Sequence, residues 1–161
     1  DGISYYQVGS GPNGLLICPD VWGWNGGRTR ALADDFAKKG MSVWVPKLLP
    51  AFEGGTDGDG LPPAFNIGER GSELGPLFGG EWHQEKVVPK LKAVVKAMKS
   101  AGVKSMGLLG FCFGAWVGMH LCKEVKFVGC ASPHPSAHVE GMVGGDVVAL
   151  GKEAKCPWAF F

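Results

Sequence analysis

A cysteine stands midway between two glycines in Gly110-Phe111-Cys112-Phe113-Gly114, after the apolar run Met106–Leu109 and before a stretch that reads as a helix. A nucleophile at a sharp strand-to-helix turn is held in strained backbone angles, and glycines two residues to either side leave the chain room to double back. Such a turn lifts one side chain to the top of a sheet. Cysteine there supplies a thiol, and the positive end of the following helix favours its thiolate. The same residues also fit a buried cysteine at a close strand–helix contact, because free cysteine is among the most buried residue types. The flanks favour the chemical reading: Gly114, Ala115 and Gly118 are small enough to let a helix lie against the sheet.

Holding that turn in place requires the rest of the chain to build a sheet. Leu15–Cys18 follows the turn-like Gly11-Pro12-Asn13-Gly14 and reads as a buried strand. Arg28–Lys39 has helical spacing through Leu32 and Phe36 and is stopped by Gly40; Ser42–Val45 is a second strand, closed by Pro46. Trp82–Ala101 places Val87, Leu91, Val94 and Met98 on one helical face. Ser105–Leu109 is the strand that enters the turn, a helix runs from it to about Cys122, Lys126–Ala131 is another strand, and Trp158–Phe161 begins one more. Strands apolar throughout, alternating with helices, predict an α/β fold: a mostly parallel sheet with helices on both faces, in one domain over residues 1–161. Leu48–Gly80 breaks the pattern. It is rich in glycine, carries Pro50, Pro62, Pro63 and Pro76, and shows no sustained period. It reads as an excursion over the strand ends, either a lid or binding loop or a loose surface insertion.

In sheets of this kind, sites lie at the carboxyl ends of the strands. That rule selects Pro19–Asn25, the loop after Pro46, the turn at Cys112 and Ser132–Ser136. His134, in the last of these, is the candidate proton acceptor for Cys112 within the chain, with a structural or pocket-lining role as its alternative. His83, His120 and His138 follow no strand and read as surface or packing residues. Trp22, Trp24, Phe111 and Phe113 either line an apolar pocket or belong to the core. Arg28, Arg30 and Arg70 either receive a substrate carboxylate or stay solvated.

A formal net charge of +1 without a basic run leaves no electrostatic footprint for nucleic acid, and no window of about 18 apolar residues exists for a membrane span. The expected partner is a small molecule or another protein. Five cysteines, an odd number, lie mostly in or beside apolar runs, which points to a reducing intracellular compartment, cytoplasmic or organellar. No C-x-x-C pair and no His/Cys set with zinc-ligand spacing is present, so no metal is expected; no glycine-rich phosphate loop precedes a helix, so no cofactor is expected either.

Three blocks recur in a known order. They are Asp20-Val21-Trp22-Gly23-Trp24-Asn25 after the first apolar strand, Phe36-Ala37-Lys38-Lys39-Gly40 before Val43-Trp44-Val45-Pro46, and Gly110-Phe111-Cys112-Phe113-Gly114-Ala115. Over nearly its whole length the chain resembles the dienelactone hydrolase (carboxymethylenebutenolidase) family of α/β-hydrolases, lacking the C-terminal part. The resemblance implies Cys112 as nucleophile and the amides of Val21 and Phe113 as oxyanion hole. It puts Asp20 where the family has a glutamate near the nucleophile, one methylene longer, and Ala115 where the family has a further glycine. It also implies a Cys-Asp-His triad whose acid and histidine would follow Phe161. The implied activity is cysteine-dependent hydrolysis of lactones or small carboxylic esters. The alternative is a catalytically inactive hydrolase-fold accessory or scaffolding subunit of a larger protein assembly. The triad partners not found in the chain favour that alternative, and the intact glycine-flanked turn favours the enzyme.

Overall fold

A computed structural model describes residues 2–161. Six strands form one sheet: β1 (Tyr5–Val8), β2 (Asn13–Cys18), β3 (Ser42–Pro46), β4 (Ser105–Gly110), β5 (Gly129–Ser132) and β6 (Trp158–Phe160), in the spatial order β1-β3-β2-β4-β5-β6. Every neighbouring pair is parallel except β1 with β3. The helices are α1 (Thr29–Ala37), α2 (Ile67–Arg70), α3 (Leu74–Gly79), α4 (Gln84–Ser100), α5 (Phe113–Leu121), α6 (Val139–Met142) and α7 (Val147–Glu153).

The central strands are apolar throughout because both their faces are covered. β2 sends Leu16 and Cys18 into one layer and Leu15 and Ile17 into the other, and β3 divides Trp44 from Val43 and Val45 in the same way. α4 and α5 pack in the larger layer. There Val87, Leu91, Val94 and Met98 of α4 are fully buried, each such side chain contributing about 1.5–3 kcal/mol relative to exposure. α1 covers the smaller layer through Ala33, Phe36 and Ala37. Pro89 falls inside α4, beyond the first turn, and the buried stripe carries the helix across the donor that proline removes.

The excursion is where the sequence reading needs correcting. Leu48–Gly80 contains α2, a 3-10 turn at Gly71–Glu73 and α3, and its Leu48, Leu49, Leu61, Phe65, Leu74 and Phe78 are buried in the larger layer. Helices of 4 and 6 residues are too short to show a 3.6-residue period, so the segment reads as featureless in one dimension. Asp59, with no exposed surface, ties it down: its carboxylate accepts the Trp24 N–H at 2.8 Å and the Leu49 N–H at 2.6 Å. The Leu61 N–H also donates to the Val21 carbonyl at 2.8 Å. The excursion does reach the strand ends, but as packed structure rather than as an open loop. Elsewhere the edge strand β1 and the short helices α6 and α7 were not foreseen, and the strand expected from Lys126 starts at Gly129. Among the described residues no helix is long and apolar enough to cross a membrane.

Candidate active site

β2 and β4 end level with one another, Cys18 opposite Gly110, and the Phe111 N–H donates to the Cys18 carbonyl at 3.0 Å. The chain then turns through Cys112 at φ +53° and ψ −117° and enters α5 at the next residue. A side chain in that region costs about 1–3 kcal/mol and persists only where the surroundings over-determine it. Those surroundings are visible in the flanking glycines. A Cβ on Gly114 would lie 2.1 Å from the Cys18 carbonyl oxygen, and one on Gly110 would lie 2.7 Å from the Ala115 Cα. Ala115 itself is accommodated, fully buried, without a further glycine.

Cys112 opens onto a pocket of about 270 Å³ whose walls are Val21, Ile67, Gly71, Leu74, Phe78, Phe113, Ser136, His138, Val139 and Met142. That is the small end of the range for small-molecule sites, and the walls are mostly apolar. A more open depression of about 660 Å³ lies between Gly2–Ser4, Lys47–Pro50 and Lys90, and neither cysteine nor histidine lines it. The Cys112 Sγ is 3.1 Å from the Ser136 Oγ. Ser136 is fixed there because its N–H donates to the Cys112 carbonyl at 3.1 Å and Pro135 bridges to Cys112. Val21 and Phe113 both border the pocket, and among the described residues neither backbone N–H has an acceptor. The Phe113 ring is locked in place, stacked on Phe78 at 5.7 Å and edge-on to Trp116 at 5.5 Å and Trp82 at 6.2 Å.

The remaining expected site residues are placed elsewhere. Asp20 makes no hydrogen bond to the thiol; its carboxylate accepts the Trp22 N–H at 2.9 Å and shapes the turn into Gly23. Burial pushes that carboxyl up, against the pull of the Trp22 bond and of nearby His134. Trp22 shares a depression with Asp20 and Asn25, outside the Cys112 pocket. Trp24 lies beneath the Arg30 guanidinium at 4.3 Å, and Arg30 also pairs with Asp57 at 2.9 Å, so neither is directed at the pocket. Arg28 is exposed at the start of α1. Phe111 packs with the smaller layer, 6.3 Å from the His134 ring. Arg70 is consumed by Glu53 and Glu73, both at 2.7 Å, and sits over Phe65, which makes it a clamp on the excursion rather than a free cation.

His134 lies 6.3 Å from the Phe111 ring, and it is His138, expected as a surface or packing residue, that lines the pocket with Cys112. Ser136 ends the segment Ser132–Ser136 that the strand-end rule selects, whereas His138 lies beyond it, next to α6, whose 4 residues leave no periodic trace. The other histidines have structural partners. His83 caps α4, and buried His120 holds the Glu140 carboxylate at 2.7 Å, which also accepts the Trp116 indole N–H at 2.6 Å. That trio fastens α6, and with it one wall of the pocket, to α5.

The profile of the dienelactone hydrolase family matches residues 4–145. The hydrolase tropI of Talaromyces stipitatus is 31% identical over 139 residues, covering 85% of this chain and 53% of that protein. An uncharacterised AIM2 family protein of Schizosaccharomyces pombe is 30% identical over 144 residues, covering 84% of this chain and 54% of its own length. The chain thus spans about half the length of the curated relatives it matches. Among solved structures, the dienelactone hydrolase-like promiscuous phosphotriesterase P91 from metagenomic libraries superposes with a TM-score of 0.59 at 14% identity, covering 100% of this chain and 81% of that one, a likeness of fold.

Proposed function

The chain belongs to the dienelactone hydrolase family, and from that premise we propose that it hydrolyses lactones or small carboxylic esters with Cys112 as nucleophile. The observation that carries the proposal is the strained backbone at Cys112, which presents its thiol to an apolar pocket beside two N–H groups without internal acceptors. A substrate carbonyl entering the pocket would set its carbon against Sγ and its oxygen between the Val21 and Phe113 amides. Attack by the thiolate gives a tetrahedral oxyanion, and each donor aimed at it is worth roughly 3–4 kcal/mol. Collapse expels the alkoxide and leaves an acyl-thioester, which water then hydrolyses. Ile67, Leu74, Phe78, Val139 and Met142 suit a short acyl chain or a small ring.

Both steps move protons, and a thiol nucleophile is activated by an adjacent base that takes its proton. Among the described residues the thiol's hydrogen-bond partner is the Ser136 hydroxyl, and no histidine nitrogen bonds to it. On this reading the 161-residue chain acylates faster than it deacylates. The test is hydrolysis of aryl esters of increasing acyl length and of five- and six-membered lactones. Short substrates should be preferred, and Cys112→Ala should lower the rate by roughly 10³-fold or more; a rate unchanged in that variant refutes the proposal. One observation favours a second reading, a hydrolase fold kept as an accessory or scaffolding subunit: the thiol is paired with a neutral hydroxyl rather than a base. Under it, wild type and Cys112→Ala would both stay at background.

A further inference from the structure

Three cysteines remote in sequence meet at the other end of α5 from the pocket. Cys122 caps α5, Cys130 lies in β5 and Cys156 precedes β6. Their sulfurs lie within 4.8 Å of one another, with 3.6 Å between Cys122 and Cys130 and 3.1 Å between Cys130 and Cys156, and none forms a disulfide. The nine residues of α5 set this cluster about 14 Å from the Cys112 turn at ~1.5 Å per residue. The sequence pattern gave no hint of it, because parallel pairing of β5 with β6 and the end of a helix assemble it, rather than a spaced motif.

We propose that Cys122, Cys130 and Cys156 form a three-thiolate site for a soft closed-shell cation, Cu(I) in preference to Zn(II). An ion about 2.3 Å from three sulfurs, at the centre of their triangle, sets them about 4 Å apart. The two closer separations fall short of that value and all three lie within 4.8 Å, so small side-chain rotations close the site. Thiolates select Cu(I), zinc and iron–sulfur centres, whereas structural zinc almost always takes four ligands. Among the described residues the donor set is three sulfurs.

A second observation points into the same site. Among the described residues the Trp158 indole N–H is buried without a hydrogen-bond acceptor, and it lies beside Cys156. A donor left unsatisfied by a neutral thiol is matched by a metal-bound thiolate, the kind of outer partner that orients metal ligands. Without a cation the three sulfurs cannot all ionise. Three thiolates this close repel one another, and burial of Cys122 and Cys130 adds to the cost of charging them. A bound cation supplies the missing charge: each remaining thiol releases its proton to solvent as its sulfur–metal bond forms, and no atom changes oxidation state. Cys122 and Cys130 are buried and Cys156 is half-buried, so the ion would reach the site from the Cys156 side.

The experiment is an anaerobic titration of the fully reduced chain with Cu(I) in competition with bicinchoninate, and with Zn(II) in parallel. Retention of one Cu(I) per chain with near-ultraviolet thiolate-to-copper absorption is expected, unchanged in Cys112→Ala and weakened at least tenfold in Cys156→Ser, whose half-buried position keeps the fold intact by circular dichroism. Equal Cu(I) affinity in wild type and Cys156→Ser overturns the site, and retention of Zn(II) but not Cu(I) overturns the choice of ion. A Cys130–Cys156 disulfide in the isolated protein, with no metal affinity after its reduction, overturns the proposal in favour of a redox pair.

Discussion

Replacing Cys112 by glycine should stabilise the protein relative to replacing it by alanine, although both variants lose the thiol. At φ +53° and ψ −117° any Cβ is strained by about 1–3 kcal/mol; alanine retains that strain and glycine releases it. Against the release stands the larger entropy of a glycine in the unfolded chain, about 0.4–1 kcal/mol. Loss of the Sγ contact with Ser136 is common to both variants and cancels. The balance favours glycine by about 1 kcal/mol, which for a chain of 161 residues is a melting-temperature difference of about 2–4 °C. Urea denaturation followed by tryptophan fluorescence, alongside thermal melts by circular dichroism, measures it. An alanine variant as stable as the glycine variant, or more so, would mean that position 112 carries no strain, and the turn would lose its physical basis.

Gly114→Ala should destabilise the fold by about 3 kcal/mol, because the new Cβ would stand 2.1 Å from a backbone carbonyl that cannot swing aside; a loss below 1 kcal/mol in urea denaturation would contradict the close approach. Asp59→Asn should cost roughly 2–3 kcal/mol, since each carboxylate oxygen accepts a backbone N–H and an amide nitrogen would turn a donor toward a donor; a neutral substitution would show that Asp59 does not tie the excursion to the strand ends. Burial holds the His120 imidazole below its ordinary value. Between its folded value and about 6.5 the unfolded chain therefore binds the proton that the folded chain refuses, and stability falls as pH drops through that window. Burial works to raise Glu140, but bonds from Trp116 and His120 outweigh it and hold its carboxyl low, so a further loss follows below about pH 4. Melting temperatures from pH 7 to pH 5 should fall less steeply in His120→Gln than in wild type, and identical slopes would exclude His120 as the source.

The parts of the molecule legible in the sequence are those whose periodicity is long. β2 and β3 read correctly because their residues are buried on both faces, β4 because it is an apolar run between turn signals, and α4 because its apolar stripe repeats over 17 residues. The turn at Cys112 was legible because its glycines answer a steric demand that acts within a few residues. What stayed hidden depends on distant partners. Arg70 reads as either a substrate-binding or a solvated cation until Glu53 and Glu73 close on it, and Trp24 as either pocket or core until Arg30 covers it. Ser136 was marked only as part of a strand-end segment and His138 not at all, since the pairing of Pro135 and the Ser136 N–H with Cys112 carries that segment to the thiol. The three-cysteine cluster is likewise a product of strand order.

The claim that Cys112 is the nucleophile is tested most directly by trapping the acyl group. The chain is mixed with a stoichiometric amount of 4-nitrophenyl acetate, quenched in acid within seconds and mapped by peptide mass spectrometry. The account predicts an acetyl thioester on Cys112 ahead of the half-buried Cys156 and the buried Cys18, Cys122 and Cys130, and no such species in Cys112→Ala. An acetyl group on Ser136 or Cys156 with Cys112 unmodified would contradict it.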